Sequence, residues 1–97
     1  GNSLKSAQFL IDSRIADAVR GDAEACFELG VAYSTGTQDC AIDMIEAHKW
    51  FNLAAMRGDM AAQQCRADVA EDMTAREIAE AQRQARAVLH MNERRAA

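Results

Sequence analysis

The sequence predicts an all-α fold of about five helices stacked as antiparallel hairpins, and three observations predict it. The 97 residues contain no proline and are rich in alanine, the strongest helix former. Apolar residues recur at spacings of three and four, with no stretch of strand-like alternation. The tripeptide Arg-Gly-Asp occurs twice, at 20–22 and 57–59, and its glycines set a period of 37 residues. A period between about 20 and 50 residues is the mark of stacked helical units.

The first helix is expected from Leu4 to Val19. Leu4, Ala7, Ile11, Ile15 and Ala18 form its apolar stripe. Gly21 follows, a residue able to end a helix in the left-handed conformation. Asp22 then offers a carboxylate to the free N–H groups of the next helix. That second helix carries Ala25, Leu29, Ala32 and Tyr33 on one face and Phe27 and Val31 on another, and Gly36 closes it. The stretch GTQDCAID is a loop. The third helix runs from about Asp43 to Arg57, with Ala47, Trp50, Phe51, Ala54 and Ala55 as a wide apolar face. Gly58 and Asp59 repeat the stop and restart. The fourth helix presents Ala62, Cys65 and Val69, with Met73 beyond them. Thr74 and Glu77 have the spacing of a capping box and open the fifth helix. Ile78, Ala81, Ala85, Val88 and Leu89 are its buried stripe.

This placement answers what the repeated tripeptide is for. An adhesion signal needs a mobile loop tip. Here each copy is pinned between two helices, so Gly-Asp reads as a hinge: a helix-ending glycine followed by an N-cap.

Composition excludes other classes. The net charge is −4 and the pI about 5.0, the wrong sign for a nucleic-acid backbone as the main partner. Arg83, Arg86, Arg94 and Arg95 cluster near the C-terminus, where cations suit the last turns of a helix. No apolar run approaches the roughly 20 residues of a membrane span, so no membrane insertion is expected. Three cysteines, an odd number, are read as reduced thiols packed as small hydrophobes. They favour the cytoplasm, with the periplasm as the alternative should a targeting segment precede Gly1.

The stretches ACFELGVAYSTG and DMIEAHKWFNLAAMRGDMAA resemble the Sel-one-like repeat, a branch of the tetratricopeptide-type solenoids. The matching positions are Ala25, Leu29, Gly30, Tyr33, Gly36, Asp43, Ala47, Trp50, Phe51, Ala54, Ala55 and Gly58. One full repeat spans 22–58, preceded at 4–20 by the second helix of a partial repeat and followed at 59–93 by a closing hairpin. Three departures stand out. Ser13 and Arg14 replace the aromatic pair in the first helix, Arg66 and Ala67 replace Leu-Gly in the fourth, and the loop GTQDC lacks a second glycine. Cys40 takes the place of that loop's apolar anchor. The resemblance implies a right-handed superhelix of helical hairpins forming one domain over 1–97. It also implies a non-catalytic scaffold or adaptor that binds a protein or peptide, or a second copy of itself, in the groove of helices two and four. The candidate concave surface is Phe27, Val31, Gln63 and Arg66; for Phe27 and Val31 the competing reading is contact with the first helix.

The residues were also weighed for chemistry. Cys26, Cys40, Cys65, His48 and His90 show no metal-ligand spacing, so no metal and no cofactor is expected, and the histidines are read as surface groups. The alternative from a different class is a thiol-dependent enzyme or redox sensor centred on Cys40, with His48 in the following helix as its base. A third reading is the C-terminal end of a longer repeat array.

Overall fold

The computed structural model describes the backbone of residues 2–96 and the side chains of residues 6–94; Leu4 of the first stripe and Arg95 of the basic cluster have side chains outside that range. Five helices follow in order: α1 (Asn2–Val19), α2 (Ala23–Thr35), α3 (Met44–Met56), α4 (Met60–Ala70) and α5 (Ala75–Ala96). There is no strand among the described residues. The helices pack into a body of 37 × 37 × 23 Å.

Local chemistry sets the helix ends. Asp22, Asp43 and Asp59 are extended residues whose carboxylates accept from the N–H of Ala25 (3.1 Å), Glu46 (3.1 Å) and Ala62 (3.2 Å). Each satisfies a donor that the first turn leaves free. At α5 the capping box closes in both directions. Thr74 N–H donates to Glu77 Oε1 at 2.8 Å, and Glu77 N–H donates to Thr74 Oγ1 at 3.1 Å. The loop after Gly36 is tied down by Asp43 N–H donating to the Tyr33 carbonyl at 2.9 Å. Within that loop Gln38 and Asp39 both take left-handed conformations, with φ of 57° and 59°. Side-chain-bearing residues pay about 1–2 kcal/mol each for that region.

α3 is the centre of the molecule, packing against α2, α4 and α5, while α1 lies on α2 and touches α5. The aromatic and alanine face read from the sequence is the one buried: Ala47, Trp50, Phe51, Ala54 and Ala55, with Leu53 beside them. The α2–α3 contact depends on Gly30. A Cβ there would stand 2.5 Å from the Phe51 ring, so only glycine lets the ring lie against the α2 backbone. Trp50 is 3 % exposed. Its indole N–H donates to Glu46 Oε2 at 2.9 Å, one turn back in its own helix, not to a neighbouring turn. Lys49 reaches over the ring at 4.8 Å and bridges to Gln84 of α5 at 3.2 Å. Tyr33 is half-buried.

Candidate functional site

A groove of about 350 Å³ opens between α2 and α4, with α3 beneath it. The α2 wall is Val31, Ser34 and Thr35. Met44 and Phe51 of α3 lie below. The α4 wall is Cys65 and Val69, with Asp68 and Asp72 alongside. The sequence explains this cross-section. Val31 belongs to the second apolar face of α2, whose other member, Phe27, packs on Phe51 of α3. On α4 the stripe Ala62, Cys65, Val69 turns inward, which leaves Asp68 along the edge, and Asp72 follows in the turn after α4.

The α2 wall carries no charge, and its hydroxyls are already engaged. Ser34 Oγ donates to the Val31 carbonyl at 3.2 Å, and Thr35 Oγ1 to the same carbonyl at 2.7 Å. On α4, Asp68 accepts from Gln64 at 2.8 Å. Burial is the larger cause pushing the half-buried Cys65 thiol upward, with Asp68 and Asp59 adding to it. The thiol therefore stays protonated at neutral pH.

The four residues expected on the concave surface divide. Val31 lines the groove. Phe27 is half-buried and meets Phe51 of α3 edge to face, ring centroids 5.6 Å apart. Arg66 is half-buried and donates to Asn52 Oδ1 of α3 at 2.6 Å, which holds it on the other flank of α4. Gln63 is exposed and lines no part of the groove. Sequence reasoning missed Asp68, Val69 and Asp72 as groove residues. The inward stripe of α4 was the signal that places Asp68 and Val69, since it fixes the helix rotation, while Asp72 is set by the turn after α4.

The histidines also divide, and one reading needs correction. His90 is exposed, 3.4 Å from Glu93. His48 is 4 % exposed, not a surface group, and its Nδ1 is buried without a hydrogen-bond partner. Burial lowers its pKa, and the nearby Arg66 lowers it further. The imidazole is thus neutral in the core of α3. It makes no hydrogen bond to Cys40 through Nδ1, the pairing a thiol nucleophile would need. Cys40 itself is half-buried, and burial together with Asp39 pushes its thiol upward, opposite to the direction that activates a cysteine. All three cysteines are free thiols. Among the described residues no group of three His, Cys, Asp or Glu side chains gathers as a metal site. No described helix is long and apolar enough to cross a membrane.

Comparison with family models, with curated proteins and with solved structures finds no match to this chain.

Proposed function

We propose that the protein is a non-catalytic interaction module of the Sel-one-like kind, binding a segment of another protein in the groove between α2 and α4. The observation that supports this is the floor and walls of that groove. Val31, Met44, Phe51, Cys65 and Val69 form an apolar trough of about 350 Å³ on an α3 platform, bordered by polar groups. Such a trough suits the large apolar anchors by which peptide segments dock. The repeat-like order of Leu29, Gly30, Tyr33, Trp50, Phe51 and Gly58 supports the same reading, because helical-repeat proteins use such grooves for recognition.

The test is selection of random displayed peptides on the intact protein, repeated on Val31→Asp after circular dichroism has shown that variant folded. Enriched peptides that bind the parent at micromolar concentration and lose binding to the variant support the module. Failure to enrich any peptide, or binding indifferent to Val31, overturns it.

A further inference from the structure

We infer that the occupant of this groove is a basic segment: a large apolar anchor flanked by lysine or arginine. The inference rests on the interaction-module reading and adds the partner's chemistry to it. The charged side chains lining the groove, Asp68 of α4 and Asp72 of the turn after it, are both negative and both exposed. Asp68 lies on the last turns of α4 and Asp72 in the turn that follows it, where its N–H donates to the Val69 carbonyl at 3.1 Å, so both carboxylates border the same end of the groove. The opposite wall offers no cation to neutralise them: Val31, Ser34 and Thr35 are uncharged, and both hydroxyls donate to the Val31 carbonyl. Arg66, the α4 cation nearest in sequence, is held away by Asn52. The whole chain carries a net charge of −4, so the long-range field also favours a cationic visitor. An acidic segment would bring like charges against Asp68 and Asp72 while gaining no more from the apolar floor. The field therefore selects between segments that share the same anchor.

The experiment measures fluorescence anisotropy of two synthetic peptide pools on the full chain. The pools share their apolar anchors and differ only in lysine or glutamate flanks. The lysine pool is expected to bind and to weaken as salt is raised. Asp68→Asn with Asp72→Asn, both exposed and remote from the core, is expected to weaken it about fivefold at low salt. Shifts at Val31 and Val69 in methyl spectra would place the peptide in the groove. Equal binding of both pools at those methyls, unchanged by the double variant, overturns the basic-segment inference and leaves the groove reading standing. Failure of both pools overturns the two together. A dimer of the chain that shields Val31 and Val69 and survives the double variant also overturns the inference, since a second copy then fills the trough without using the acidic edge.

Discussion

The two Arg-Gly-Asp hinges have the same sequence and the same backbone, but their arginines do different work. In each hinge the glycine N–H donates to the residue three back: Gly21 to the Ala18 carbonyl and Gly58 to the Ala55 carbonyl, both at 3.1 Å. In each the aspartate N–H reaches five back, Asp22 to Asp17 at 3.1 Å and Asp59 to Ala54 at 3.0 Å. The glycine φ angles are 113° and 101°. Arg20 nevertheless lies exposed and pairs within its own helix end, with Asp17. Arg57 is half-buried and crosses to the first hinge. Its Nη1 donates to the Ala18 carbonyl at 2.9 Å and to Cys26 Sγ at 3.0 Å. The second hinge thereby locks the first. Local sequence dictates the turn, and the neighbouring helix dictates what the cation beside the turn is for.

The sharpest way to break this comparison is to truncate the arginines. Arg57→Ala removes charged hydrogen bonds from a partly buried carbonyl and thiol and is expected to cost about 2 kcal/mol. Arg20→Ala removes an exposed pair and is expected to cost less than about 0.5 kcal/mol. Urea unfolding of the two variants measures the gap. Equal costs would mean that the cross-hinge lock contributes nothing. The glycines come next and should not differ. Gly21→Ala and Gly58→Ala each force a side chain into positive φ, at about 1–2 kcal/mol. Space does not separate them: a Cβ at Gly21 would have only Arg57 Nε nearby, at 3.9 Å, and one at Gly58 would meet nothing within 4 Å. Thermal melts that part by more than that cost would show that the hinges are not equivalent turns. The caps follow, Asp22→Ala and Asp59→Ala, each expected to cost about 1 kcal/mol by leaving an N–H of α2 or α4 unpaired.

What was legible in the sequence divides along the same line. Helix ends were legible at Gly21, Asp22, Asp43, Asp59 and the Thr74–Glu77 pair because they are settled within four residues of chain. The wide buried face of α3 was legible because a helix's rotation is fixed by its own apolar stripe. The fate of single polar residues was not. His48 looks like a surface group from its neighbours Glu46 and Lys49, but α3 is covered by three helices and so has little outer face. Arg66 and Asp68 are two positions apart on α4, which rotates them about 200° around the axis, so one reaches Asn52 while the other borders the groove. Phe27 was ambiguous between the concave surface and contact with α1, and its edge-to-face contact with Phe51 of α3 depends on how separate helices are placed. Arg57 was read only as part of a turn, since the Ala18 carbonyl it reaches lies 39 residues earlier.

The smallest expected effect probes both hinges at once through Cys26, which is fully buried between them. Burial is the largest influence on its thiol and raises the pKa above the ordinary 9.0; Arg57 opposes this by charge and hydrogen bond, and Asp22 of the first hinge adds to it. The folded chain therefore holds a proton that the unfolded chain releases as pH rises through 9.0. This contribution to stability is complete below that pH and is lost progressively up to the folded pKa. The parent protein should accordingly lose more stability on the alkaline side than Cys26→Ser, which has no titrating group there; urea unfolding followed across that range measures the difference. Cys40, Cys65 and Tyr33 are common to both proteins, so their own alkaline titrations cancel in the comparison. In Arg57→Ala the restraining cation is gone, the thiol pKa rises further, and the loss extends to higher pH. If Arg57→Ala instead shortened the alkaline loss, the guanidinium would not be stabilising a thiolate at that contact, and the lock would reduce to its bond with the Ala18 carbonyl.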